Sequence, residues 1–249
     1  MTGLKPRRAI CILAMVAAFA ILGVSGCAST GGLKTGCVRA AGDSSDNAWW
    51  YASFRINWPD DQEISLDADL LIAHRIISPV LDRYRQNIAL WRFHRRAARD
   101  DAGHRFSFIF YTTAATARKI YAEIGSSAVL GRMKTDGVIL EVSFDDTSSV
   151  RRSGVEATSD RNWSPPLQKA WPYFIMGVSQ TWLDLIDQYA GDGRKKPVTS
   201  AEMMEFYHEI ARQIEATWNK EGGHAFLHHL NALFGYGPVN LRGKIEMQF

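Results

Sequence analysis

Four short stretches with a period of two constrain this chain more than anything else in it. Over 49–58, Trp50, Ala52, Phe54, Ile56 and Trp58 alternate with Tyr51, Ser53, Arg55 and Asn57. Successive strand side chains point to opposite faces, so the alternation predicts a half-buried strand, ended by Pro59-Asp60-Asp61. Residues 89–95 set Trp91 and Phe93 against Arg92 and His94. Residues 105–111 set Phe106, Phe108 and Phe110 against Arg105, Ser107 and Ile109, and 137–144 carries Val138, Leu140, Val142 and Phe144 on its apolar side. Strands of this kind make a sheet with one apolar face, and that face has to be covered.

Helical patterns lie between them. Leu66, Leu70, Ile77, Leu81, Tyr84 and Ile88 keep the helical period. Ser65 can cap that helix, Asp67 and Asp69 suit the positive end of its dipole, and Pro79 predicts a kink or break. Further helices are expected over 114–124 and 128–134, and Arg99-Asp100-Asp101-Ala102-Gly103 fits a hairpin turn. The order strand, helix, strand, strand, helix, strand is the ferredoxin-like, split βαβ arrangement, with both helices on one face of an antiparallel sheet.

From 148 onward the pattern is a polar loop and then helices. Leu167, Trp171, Phe174, Ile175, Val178, Trp182, Leu185, Ile186 and Tyr189 predict one apolar stripe after Pro165-Pro166. Thr199 with Glu202 forms a capping box, opening a helix with Met203, Tyr207, Ile210, Ile214 and Trp218 on one face. Gly222-Gly223 is expected to separate a shorter helix over 224–234. The expected fold class is α+β: a ferredoxin-like βαββαβ sheet over 48–147, and a loop with a three-helix C-terminal part over 148–249 packed on it.

The N-terminal stretch reads differently. Lys5, Arg7 and Arg8 precede the apolar run 9–24, which ends in Val24-Ser25-Gly26-Cys27. A positive head, an apolar middle and small residues are the layout of a signal peptide, and sixteen residues fall short of the roughly 20 a spanning helix needs. Val-Ser-Gly before a cysteine resembles the lipobox of bacterial lipoproteins. The resemblance implies that residues 1–26 are removed, that Cys27 carries a diacylglycerol thioether, and that the new amino terminus is acylated. Two or more acyl chains hold a protein firmly on a membrane, where one does not. Ala28 after Cys27, where the inner-membrane sorting pattern would have Asp, implies the outer membrane and a domain facing the periplasm. Residues 27–47 are rich in Gly, Ser, Thr and Ala, a composition that buries little apolar surface and reads as a tether.

Removing Lys5, Arg7 and Arg8 with the signal peptide brings the 29 basic residues level with the 26 acids, and the formal charge of +3 vanishes. A nucleic-acid role loses its electrostatic footing. Cys11 leaves with the signal and Cys27 is alkylated, so Cys37 is the one free thiol and no disulfide framework can form.

The candidate binding site is the polar side of the sheet. Arg55, Arg92, His94 and Arg105 on neighbouring strands, with Glu141 near, make a cationic plate with Ser53 and Ser107. Guanidinium forks match carboxylate and phosphate groups, so the plate could hold an anionic ligand. The other reading is a solvated face, or one with its charges paired beneath the C-terminal helices. His224 and His228, four apart on one helix face, are the candidate metal pair, with His208, Glu205 or Asp187 as a possible third ligand; polar-face histidines are the alternative. His208-Glu209-Ile210-Ala211-Arg212 departs from the zinc-protease motif, since Arg212 cannot ligate a metal. Nucleophile-elbow, phosphate-loop, dinucleotide-binding and C-x-x-C motifs are absent, and no cofactor is implied.

Ala89-Leu90-Trp91-Arg92-Phe93-His94-Arg95, His104-Arg105-Phe106-Ser107-Phe108 and the run 137–144 are together similar to the C-terminal elimination domain of lanthipeptide dehydratases, over roughly residues 49–186. Arg151-Arg152-Ser153-Gly154 stands where that family has its tyrosine, acidic and Arg-Tyr-Gly-Gly pattern. The resemblance therefore implies a related fold rather than the elimination reaction. The sequence thus predicts a lipid-anchored envelope protein whose non-catalytic domain binds an envelope protein or anionic ligand. The alternative is an envelope enzyme acting on an anionic substrate at the Arg55/Arg92/His94/Arg105 face.

Overall fold

Period-two patterning becomes four antiparallel strands: β1 (Asn47–Ile56), β2 (Leu90–Arg96), β3 (His104–Thr113) and β4 (Ile139–Phe144), in the order β2-β3-β1-β4. The computed structural model describes residues 46–191 and 197–235. The expected signal peptide, Cys27 and nearly all of the expected tether lie outside the described residues. β1 starts and stops two residues before the alternation does, because Trp58 has left the ladder. Its indole donates to the Gln62 carbonyl, and the Arg99 guanidinium lies 3.5 Å from its ring centre.

β1 is central, paired with β3 from Asn47 opposite Thr113 to Ile56 opposite His104. Its pairing with β4 shifts between Arg55 and Ile56, where a bulge swings Leu140 outward to 51% exposure and turns Ile139, 1% exposed, inward. This corrects the placing of Leu140 on the apolar face: the extra residue reverses the alternation at that point. A bulge also twists an exposed edge strand away from flat edge-to-edge pairing.

The first helical layer is a rod made of α1 (Asp67–Leu71), a π-helical segment (Ile72–Ile77) and α2 (Ser78–Tyr84). Ser65 Oγ accepts from the Asp67 amide at 3.3 Å. At Pro79 the helical run is not interrupted, and the kink or break expected there takes the form of a change from π-helical to α-helical geometry between Ile77 and Ser78. Pro79 sits in the first turn of α2, after the wider π turns, where its missing N–H and its ring conflict least with the turn before it. After β3 come α3 (Ala114–Gly125) and α4 (Ala128–Thr135), capped by Thr113 and Ser127. Rod and helices cover the apolar sheet face, where Trp50, Phe54, Phe106, Phe108 and Phe110 meet Leu71, Ile72, Ile77, Ile120 and Ile124 in one core.

The C-terminal helices are α5 (Pro165–Ala190) and α6 (Ser200–Thr217), the latter opened by the expected capping box. Gly222-Gly223 does not end a helix. α6 continues through a π-helical segment (Trp218–His228) into α7 (His229–Leu233), and the Trp218 ring covers Gly222 so closely that a Cβ there would lie 2.7 Å from it.

α5 runs along β2, an edge strand. The Phe93 amide, pointing away from β3, donates to Ser179 Oγ at 3.1 Å, so the helix closes an edge that would otherwise be open. The residues α5 turns inward are Pro172, Ser179, Leu183, Ile186 and Ala190, all buried. Part of the expected stripe points elsewhere, with Leu167, Phe174 and Val178 exposed, while Ile186 is buried and Trp182 and Tyr189 pack against the core. At β2 the inward residue is Ser179, whose hydroxyl accepts the strand amide, and Leu183 and Ile186 supply the apolar contact further along the helix. On the far side of the sheet Trp49, Leu90, Ile109 and Tyr111 form a second small core, covered by Met176 of α5 and by Val155 of a 3-10 turn (Val155–Thr158). No helix among the described residues is long and apolar enough to cross a membrane.

Candidate functional site

The ladders decide how the expected plate is arranged. Arg55 stands opposite Arg105 on one side and Glu141 on the other, and His94 stands opposite Ser107, itself opposite Ser53. Arg105 Nη2 lies 3.7 Å from Glu141 Oε2, with both side chains part-exposed, and Arg105 Nε donates to the Ala102 carbonyl. Ser107 Oγ donates to Ser53 Oγ at 3.2 Å. The open part of the face is therefore a row of Glu141, Arg55 and Arg105, with hydroxyls and His94 in the next row.

Arg92 departs from that plate. It is 7% exposed beneath α5, with its guanidinium 4.9 Å from the Trp171 ring centre and its Nε buried without a hydrogen-bond partner. Burial lowers its pKa, and the Tyr51 hydroxyl beside it works in the opposite direction. Its role here is packing, with the cation held against an aromatic face. His94 is pushed below the usual imidazole pKa by burial and then by Arg92, so it is the neutral member of the face at neutral pH. Glu141 on β4 and His94 on β2 are three strand spacings apart, about 14 Å. Arg92, His94 and Glu141 thus share a face without converging on one point. What the arrangement can do is grip an anion between two part-exposed guanidinium groups.

The polar clusters that sequence reasoning missed are in the helical layer. Asp67 and Asp69 stand in the first turn of α1, as expected, and are also buried. Asp69, wholly buried, accepts from Arg95 Nε at 2.9 Å, and both its oxygens lie 3.1 Å from Nε2 of His104, 1% exposed. The signal for His104 was present: it falls in phase with Phe106, Phe108 and Phe110 on the inward side of β3. Asp67 Oδ2 lies 3.2 Å from His208 Nδ1. In the π-helical segment, His74 Nδ1 is 2.7 Å from the Tyr207 hydroxyl of α6 and Nε2 is 3.3 Å from Asp187 Oδ1 of α5. Burial and then Arg75 lower the His74 pKa; burial, Asp184 and Asp82 raise that of Asp187. Both shifts work against the ion pair and leave the contact as a hydrogen bond from the imidazole. Burial likewise raises Tyr207, which keeps its proton.

The His224 and His228 rings stack 5.3 Å apart, centre to centre, with His229 beside them, all exposed. Of the suggested third ligands, His208 is engaged by Asp67 and Asp187 by His74, and no set of three or more ligands among the described residues could hold a metal ion. Comparison with known proteins finds no matching family model, no similar characterised protein and no similar solved structure.

Proposed function

We propose that this chain is a lipid-anchored cell-envelope protein whose α+β domain holds an anionic group of a ligand or partner on the open row of its sheet, without catalysis. The observation that carries the reading is the cross-strand pair Arg55 and Arg105, flanked by one part-exposed carboxylate, Glu141, that satisfies neither guanidinium fully. Planar forks in this register suit a carboxylate or phosphate bound by two parallel hydrogen bonds. Cys27 after Val24-Ser25-Gly26 supports the anchor, with Ala28 favouring the periplasmic leaflet of the outer membrane. The domain is of the ferredoxin-like kind, a reading supported by the strand order β2-β3-β1-β4 and a helical crossover on each side of the β2–β3 pair. The test has two arms. Cys27→Ser should abolish labelling of the chain by palmitate. Arg55→Gln/Arg105→Gln should weaken binding of inorganic phosphate or a diacidic peptide at least about tenfold, with a melt within about 1 kcal/mol of wild type, because part-exposed pairs contribute little to stability. Undiminished binding by the double variant would remove the site.

A further inference from the structure

The outer side of α5 is apolar where the rest of its surface is not. Leu167, Phe174 and Val178 are exposed at 47, 48 and 45%, with Tyr173 beside them at 40%. Contiguous exposed apolar surface marks a contact site, and two observations point to its occupant. The first is where the chain enters the domain. β1 begins at Asn47, two residues before Trp49, whose indole donates to the Gly154 and Val155 carbonyls and whose cluster includes Met176 of α5. The entry point and the N-terminal half of α5 are thus neighbours. Nineteen residues, 28–46, separate Cys27 from Asn47. Taken as the tether its composition suggests, that segment would reach roughly 25 Å, whereas Leu167 to Val178 spans only about 16 Å of helix. Lipid on Cys27 would therefore bring a bilayer surface within reach of the whole stripe.

The second observation is charge. Arg161, just before α5, and Lys169, in its second turn, are exposed against one exposed acid, Asp160, while the acids of the helix itself, Asp184 and Asp187, lie at its far end. An apolar helical face with flanking cations is the pattern of a helix resting among anionic headgroups.

We propose that the outer face of the N-terminal half of α5 docks on the anionic lipid surface carrying the anchor, which holds the domain down on the membrane. The inference rests on the lipid-anchor reading. The test uses the lipidated full chain with Cys37→Ser and Phe174→Cys, labelled at 174 with an environment-sensitive nitrobenzoxadiazole. The chain is placed in phosphatidylethanolamine and phosphatidylglycerol vesicles, with Lys134→Cys on exposed α4 as the control site. The expected result is a blue-shifted emission at 174 and quenching by brominated acyl chains about threefold stronger than at 134, as interfacial burial of one helix face requires. Equal, water-like emission at both sites on vesicle-bound protein overturns the proposal. So does a blue shift that follows protein density and ignores bromination, which assigns the stripe to a second copy of the chain. Mass spectrometry of the N-terminal peptide separates these failures from that of the anchor: an unmodified Cys27 overturns the anchor and the docking together.

Discussion

Asp69 is wholly buried between Arg95 and His104, and a carboxylate in that position has no water to fall back on. Asp69→Asn leaves a guanidinium and an imidazole without their acceptor charge. We expect a loss of about 3 kcal/mol in urea unfolding, the cost of breaking one side of a buried pair. A wild-type midpoint in that variant would show that water or another group replaces the carboxylate. His74 carries the expected pH dependence. Folding lowers its pKa, chiefly through burial, so near pH 6 the unfolded chain binds more protons than the folded one. The stability it contributes is complete above about pH 6.5, the unfolded imidazole value, and is lost as pH falls through the lower folded value. His74→Gln should therefore flatten the decline in melting temperature between neutral and mildly acidic pH, and an unchanged decline would assign the effect to another group.

At the scale of elements, the contact between α5 and β2 turns on one hydroxyl. Ser179 Oγ accepts from the Phe93 amide and donates to the Ile175 carbonyl of its own helix. Ser179→Ala strands a buried N–H on the edge of the sheet, and we expect a loss of about 1–2 kcal/mol with the urea slope unchanged. Ser179→Thr keeps the acceptor and should recover part of it; equal losses in both variants would count against the hydrogen bond. The four strands were legible because alternation reports directly on a two-sided surface. The β4 bulge was not, because inserting Leu140 depends on how β4 meets β1 and leaves no local mark. The rotation of α5 was partly misread for the same reason: the apolar stripe placed Ile186 inward correctly, while contact with β2 turned Pro172, Ser179 and Leu183 inward and left Phe174 and Val178 outside.

For the whole molecule, the C-terminal helices and the sheet share one core. Leu183, Ile186, Met203, Tyr207 and Ile210 are buried in the same cluster as Phe54 and Phe108, and Trp182 packs edge-on against Phe93. Truncation after Ser164 would open the β2 edge and uncover that cluster. We expect an aggregating product without a cooperative melt, judged by near-ultraviolet dichroism and calorimetry. A monomeric truncation with a sharp transition would establish two independent domains.

The sequence by itself determined the α+β class, the inward sides of β1 and β3, the capping box at Thr199, and the shared face of Arg55, Arg105 and Glu141. All of these follow from residue periods and hydrogen-bonding chemistry a few positions apart. Only the tertiary structure decided that Arg92 lies under Trp171, that Asp69 meets Arg95 and His104, and that His74 joins Tyr207 to Asp187. Those partners stand 26 to 133 residues apart in the chain. Which distant side chain reaches a buried charge depends on how packed elements are rotated against each other, and no local pattern carries that information.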